Sequence, residues 1–351
     1  MSEIKFEPYV GDHCESTMLV NLLRQKGLEI SEAMVFGLGQ GLNYIHWQSS
    51  TMPYPFIGGR TKPDSLTENL SCALGLQLDV RETASLVRAL SNVVEALDAG
   101  KLVGLKLDHY YLDYFREKSI HFCAHYATLY KVNKQFAHLI DTHSSGGGGQ
   151  TSLSSLAEAR AARGPMSSKN LSVTLADGPW LPALREALLQ KLPAAILRAI
   201  AENAHTYLNP PIKNIGYKGV LHTSRKIGGW LEEVANPSES LPIIGMLMER
   251  AGTGGGMFRK IYARFLQESY ELTQVATLDS AAQEFSQIAE LWSEVAELIE
   301  RGGKEGSRDS LLRAAKLLAE LSSREKKQFS DLEAAANQSL TVAKFSGAAA
   351  A

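Results

Sequence analysis

Met18, Leu19, Leu22 and Leu23 recur at the spacing of one helical face, so the first clear pattern in the chain is amphipathic and helical. Asp12 and Glu15 precede it at capping-box spacing and Gly27 follows it, which predicts a helix over 13–26. Ser31 opens a second short helix, Ser65 with Glu68 caps a third that stops at Gly75, and Thr83 opens a fourth that runs to about Asp98. Short β-like runs follow at 76–80 and 102–107, then longer ones at 121–131 and 135–142. One more helix over 152–163 and a strand over 171–175 complete this part. Helices followed by an antiparallel sheet read as an α+β domain.

From Trp180 onward the period is helical throughout. Phe258, Ile261, Tyr262, Phe265 and Leu266 share one face, and Phe285, Ile288, Ala289, Trp292, Val295, Ala296 and Ile299 share another, which predicts a helical bundle. The run from Ser144 to Gln150, with four consecutive glycines, reads as a flexible loop near a domain boundary. The expected organisation is an α+β domain over 1–176, an all-α domain over 177–340 and a disordered tail over 341–351.

Length and composition then narrow the function classes. A chain of 351 residues has room for roughly two domains and needs no disulfide staples. Its 36 Lys+Arg nearly balance 38 Asp+Glu, so there is no long-range field to draw in a nucleic acid or an anionic membrane, and neither is expected as a partner. The opening residues carry no basic start followed by an apolar run, and no stretch reaches 18 apolar residues, so a cytoplasmic location is expected. Cys14, Cys72 and Cys123 form no CxxC pair and are expected as reduced thiols.

All three cysteines and seven of the nine histidines lie before residue 144, which places any chemistry in the first part. Cys14 falls in the first turn of the first predicted helix, where unpaired N–H groups and the dipole favour a thiolate. The alternative for Cys14 is a small buried apolar side chain; Cys72, inside an amphipathic helix, reads as structural. A thiol nucleophile needs an imidazole to take its proton and a group to orient that imidazole. His125 and Asp141 stand on consecutive predicted strands, and a three-residue loop of Val132, Asn133 and Lys134 sets them opposite each other. A two-residue Asn133-Lys134 turn sets Tyr126 opposite Asp141 instead.

His121, Cys123 and His125 alternate on the same predicted strand but span about 13 Å, too far to converge on one ion, so no metal is expected. Gly37-Leu38-Gly39-Gln40-Gly41 lacks nucleotide-loop spacing and reads as a turn permitting close backbone approach. Gly254, Gly255 and Gly256 lead into a helix with Arg259 and Lys260 in its early turns, a start able to hold a phosphate or else a permissive interhelical loop.

Several of these segments together resemble the butirosin biosynthesis protein H family. They are Asp12-His13-Cys14-Glu15 leading into Asn21-Leu22-Leu23, Ser31-Glu32 with Phe36-Gly37-Leu38-Gly39, Phe56-Ile57-Gly58-Gly59-Arg60, Asp108-His109-Tyr110-Tyr111, and His125 with Asp141. The stretch from Gly254 to Arg259 with Phe265-Leu266 is similar to the helical domain of unknown function that usually follows. The resemblance implies a papain-like cysteine enzyme that moves an acyl or aminoacyl group from a carrier-protein thioester to an amine. It makes Cys14 the nucleophile, His125 the base and Asp141 the orienter. It also implies an acyl or peptidyl carrier protein and a small amine as partners, with phosphopantetheine carried on the donor and no cofactor bound to the chain itself.

Gly39, Gln40, Gly255, Gly256 and Arg259 are the candidate substrate-binding residues. The papain pattern has a Gln six residues before its nucleophile, where this chain has Pro8, so a side-chain oxyanion donor is missing there. The Cys14 N–H remains, with the Gly39-Gln40-Gly41 loop as one source of a second donor. Two other readings stand beside acyl transfer: a cysteine hydrolase, amidase or thioesterase, with the same triad, and a catalytically inactive interaction protein.

Overall fold

The computed structural model describes residues 4–50, 52–115 and 120–348. In chain order the first elements are α1 (Cys14–Gln25), α2 (Glu32–Leu38), β1 (Leu42–Trp47), β2 (Phe56–Arg60), α3 (Ser65–Leu74), β3 (Leu78–Arg81), α4 (Leu86–Asp98) and β4 (Val103–Leu107). They continue with β5 (His125–Val132), β6 (Phe136–Ile140), β7 (Gly148–Ser152), α5 (Leu153–Ala161) and β8 (Ser172–Leu175). The rest is helical: α6 (Trp180–Leu208), α7 (Gly216–Lys226), α8 (Trp230–Glu233), α9 (Pro237–Glu249), α10 (Arg259–Thr273), α11 (Ala276–Glu305) and α12 (Arg308–Ala348). This is the α+β architecture expected, antiparallel strands followed by helices.

The chain divides into two units, Met1–Val35 with Pro63–Leu189 and Phe36–Lys62 with Gln190–Ala351. A contiguous boundary at 176 is therefore corrected twice: α6 starts in the first unit, and the segment 36–62 belongs to the second. That segment carries the β1–β2 hairpin, which finds its partners among later helices of its own unit. Tyr44 is fully buried with its hydroxyl 2.6 Å from Thr223 Oγ1, and His46 N–H donates to the Asn214 carbonyl. The tail expected from 341 is also corrected, because α12 continues to Ala348; residues 349–351 lie outside the described residues.

In the first unit six strands form one antiparallel sheet in the order β3-β8-β4-β5-β6-β7. Alternation along β4, β5 and β6 turns Leu105, Leu107, Ala127, Leu129 and Leu139 to one face, where Val93 and Leu97 of α4 and Leu156 of α5 cover them. Met18 of α1 approaches Gly104 so closely that a Cβ there would lie 2.3 Å from its sulfur.

The glycine run expected as a loop near a domain boundary is a turn only as far as Gly147; Gly148, Gly149 and Gln150 open edge strand β7, paired with β6 from Ile140↔Gly148 to Phe136↔Ser152. Gly148 has φ 101°, and a Cβ on it would sit 2.3 Å from the Leu139 carbonyl oxygen, so only glycine lets β7 begin there. Composition read these glycines as freedom; pairing uses them as close approach.

Candidate active site

Cys14 is the first residue of α1. The N-cap is His13, in extended conformation, whose Nδ1 accepts from Ser16 N–H at 3.4 Å, so the cap expected from Asp12 lies one residue further on. Glu15 is not a capping-box partner either: its buried carboxylate accepts from Thr67 N–H at 3.2 Å and Oγ1 at 2.9 Å, capping the first turn of α3. The first-turn N–H of Cys14 has no carbonyl within its own helix to bond to, which leaves the positive end of α1 beside the sulfur.

A second carboxylate fixes the chain entering that helix. Glu32, only 5% exposed at the start of α2, accepts from Asp12 N–H at 2.9 Å, His13 N–H at 2.8 Å, Ser16 Oγ at 2.9 Å, Thr17 Oγ1 at 3.2 Å and Tyr9 Oη at 3.3 Å. Gly11 admits it, since a Cβ there would come within 2.6 Å of Glu32 Oε2. Glu32→Ala would strand several buried donors and is expected to cost about 3 kcal/mol and slow alkylation of Cys14, with Glu32→Gln losing less. Urea unfolding and iodoacetamide rates measure the two effects; an unchanged midpoint and rate would show that the carboxylate holds nothing in place.

His125 opens β5 and Asp141 directly follows β6. The hairpin between them is neither of the two foreseen. Val132 pairs with Ala137 across a four-residue loop, and a bulge between Leu129 and Lys131 shifts the register to Leu129↔Leu139 and Thr128↔Ile140. Continued by one residue, that register sets Asp141 opposite Ala127, diagonal to His125 and on its face of the sheet. Without the bulge Asp141 would fall opposite Thr128, on the other face.

His125 Nε2 lies 2.7 Å from Asp141 Oδ2, and its ring is also hydrogen-bonded to the Cys14 thiol. Tyr114 Oη donates to the same Asp141 oxygen at 2.8 Å, and Thr142 N–H donates to the other at 2.7 Å. Burial favours neutral His125, but Asp141 and Cys14 outweigh it and raise the imidazole to about 10. The ring is therefore held as imidazolium at neutral pH, the state that stabilises a neighbouring thiolate. Burial and Asp141 push Tyr114 far above its ordinary value, so it remains a donor. Tyr114 and Glu32 are the parts of this site that the sequence patterns did not single out by role.

The other histidines of the region go elsewhere. The strand expected over 121–131 starts only at His125. His121 bonds Asp108 Oδ2 at 2.8 Å, where Cys123 Sγ also approaches to 3.5 Å, and Asp108 Oδ1 takes the Phe122 N–H at 3.0 Å. His109 lies 5.8 Å from His125 between ring centroids, and burial followed by the His125 charge lowers it to about 4, so it is neutral beside the charged imidazole.

The expected substrate-binding residues fall in the second unit, and for Gly255, Gly256 and Arg259 the structure gives internal partners in place of a phosphate. Gly39 and Gln40 belong to the turn between α2 and β1, and Gln40 Nε2 donates to Glu202 at 2.6 Å. Gly255 N–H is taken by Thr253 Oγ1 and Gly256 N–H by Glu249 Oε2 at 2.8 Å, so these amides do not cradle a phosphate. Arg259 is fully buried: Nε meets Glu325 Oε1 at 2.7 Å, Nη1 donates to the Met257 carbonyl at 2.7 Å, and the guanidinium stacks on Trp292. It is an internal ion pair of the helical unit. Arg259→Met would leave Glu325 uncompensated and is expected to lower stability by about 3–5 kcal/mol, partly recovered by adding Glu325→Gln. Denaturant midpoints of the single and double variants check both.

No described helix is long and apolar enough to cross a membrane. No curated protein matches the chain. Residues 154–332 match the family model for the domain of unknown function DUF4872. Residues 13–142 match the model described as butirosin biosynthesis protein H, N-terminal, and the match contains Cys14, Glu32, Tyr114, His125 and Asp141. The chain thus belongs to the DUF4872 family, whose model covers just over half of it, and the domain before it matches the butirosin biosynthesis protein H N-terminal model.

Proposed function

We propose that this protein is a cytoplasmic, cysteine-dependent amide synthetase of natural-product assembly, which moves an acyl or aminoacyl group from a carrier-protein thioester to a small amine. The observation that carries the reading is the alignment of Cys14, His125 and Asp141, with the imidazole bonded to the thiol on one side and to a buried carboxylate on the other. The Cys14 thiolate attacks the thioester carbonyl carbon, and the departing pantetheine sulfur takes the proton held by His125. The amine then attacks the Cys14 acyl-enzyme, His125 accepts its proton, and the Cys14 thiolate leaves as the amide forms. Phosphopantetheine arrives on the donor, so the chain needs no cofactor of its own for these steps. The Cys14 N–H at the positive end of α1 supports the oxyanion in both.

Intact mass spectrometry with acylated carrier protein, with and without added amines, tests this. The expected result is an acyl adduct on Cys14 that amine discharges as amide. Adduct lost to water at the same rate whether or not amine is present would make the enzyme a hydrolase. No adduct with any carrier-bound donor would favour an inactive interaction protein.

A further inference from the structure

We propose that the outer face of α7 in the helical unit is the docking surface for an acidic protein, and that this protein is the acyl-bearing carrier. The inference rests on the proposed function for the identity of the partner and on charge for the surface. Between Glu202 and Glu232 the sequence has no Asp or Glu, although the chain as a whole carries 38 of them. Within that interval stand Lys213, Lys218, His222, Arg225 and Lys226.

The helix buries Gly216, Gly219, Val220, Thr223 and Ser224 on one side. Its other side therefore carries Lys218, His222 and Arg225 at i, i+4 and i+7, with Lys226 alongside. Lys213, Lys218, Arg225 and Lys226 are all exposed. They form one cluster: His222 is lowered first by burial and then by the charges of Lys213, Lys226 and Arg225. Lys326 of α12 extends the cluster, since it and Lys218 both lie against the Tyr217 ring, at 5.1 and 5.8 Å.

Elsewhere on this unit Arg250, Lys260, Arg308, Arg313 and Arg324 each meet a carboxylate. Among the described residues none of Lys213, Lys218, Arg225, Lys226 and Lys326 does. The helix dipole accounts for Arg225 and Lys226, which occupy the last turn of α7, but not for Lys213, Lys218 or Lys326. Like charges held together without counterions repel, and an acidic partner relieves that repulsion while speeding its own encounter. The carrier brings at least one fixed negative charge of its own, the phosphodiester joining the pantetheine arm to the protein. Arg259, buried against Glu325, does not meet that phosphate; exposed cations do.

The test uses the full chain with Lys218→Glu, Arg225→Glu and Lys226→Glu combined, and a second variant with Gln at the same three positions. Binding is read by titrating pantetheinylated carrier protein without an acyl group, so docking is measured whether or not transfer occurs. The Glu variant is expected to weaken binding at least about tenfold, the Gln variant less, and the original protein's binding to weaken as salt rises. Acylation of Cys14 by a short soluble thioester is expected to be unchanged in both variants, which also shows that they fold. Unaltered carrier binding in the Glu variant overturns the proposal. So does binding of duplex DNA or phosphatidylglycerol vesicles that the Glu variant loses while carrier binding persists. Failure of acylation in the unsubstituted protein, with carrier binding still charge-dependent, would instead overturn the proposed function and leave the surface standing.

Discussion

Cys14→Ala is expected to abolish formation of the acyl-enzyme and reduce turnover to background while leaving the circular dichroism spectrum unchanged. The substitution removes one sulfur at the end of a helix whose cap is provided by His13 and Ser16 and whose approach is held by Glu32. No structural contact therefore compensates for, or is confused with, the loss of the nucleophile. The same argument orders the three thiols toward iodoacetamide. Cys14 is bonded to an imidazole that is charged at neutral pH. Cys72 is exposed but has no hydrogen-bonded partner among the described residues. Cys123 is buried, and burial followed by the Asp108 charge pushes its thiol up to about 11, leaving roughly one part in ten thousand as thiolate at pH 7. Peptide mapping after brief alkylation should find Cys14 modified first and Cys123 last. Retention of most turnover by Cys14→Ala, or faster modification of Cys72, would refute the mechanism.

The parts of this fold that were legible in the sequence are those encoded over a single turn or strand. The amphipathic pattern of Met18, Leu19, Leu22 and Leu23 with Gly27 as the stop placed α1 within a residue at each end, because capping and periodicity are local. The pairing of His125 with Asp141 was legible only as a face. The expected register differs from the observed one by two residues, an even shift that preserves the side on which each residue points. That parity survives because the bulge at Leu129–Lys131 compensates a loop of a different length, which no period-two pattern records. Glu32 and Tyr114 were hidden for a different reason. Their partners lie 15 to 27 residues away in sequence, and a lone carboxylate or phenol looks the same whether solvated or buried. Arg259 was misread because an Arg after a glycine run suggests an anion, whereas its anion is Glu325, 66 residues later. The 36–62 segment shows the same limit at the scale of domains, since no local pattern tells a hairpin which unit will bury it.

His125→Ala should lower kcat/KM by roughly a thousandfold, and Asp141→Asn by less, because the two residues act on different aspects of one proton transfer. In the proposed mechanism His125 itself gives and takes the proton. Asp141 holds the ring so that Nδ1 is left for the sulfur, and its charge is the larger of the two influences that raise the imidazole to about 10 against burial. Asn keeps an acceptor for the Nε2–H but removes the charge. Asp141→Asn should therefore shift the alkaline limb of the pH–rate profile downward from near pH 10, as well as reducing its height. Tyr114→Phe, which removes one donor to Asp141 and leaves the carboxylate as a stronger partner for His125, should not lower that limb. The same raised value has a consequence for stability, with its sign set by linkage. Below about pH 6.5 the imidazole is charged in folded and unfolded chains alike, and the full stabilisation of the charged ring by Asp141 is present. It is lost as pH rises through about 10, where the folded imidazole finally gives up its proton. Unfolding midpoints between pH 6 and 10.5 should accordingly fall more in the original protein than in His125→Ala. Identical slopes would mean that the imidazole is not charged in the folded state, and the thiolate–imidazolium pair would have to be abandoned.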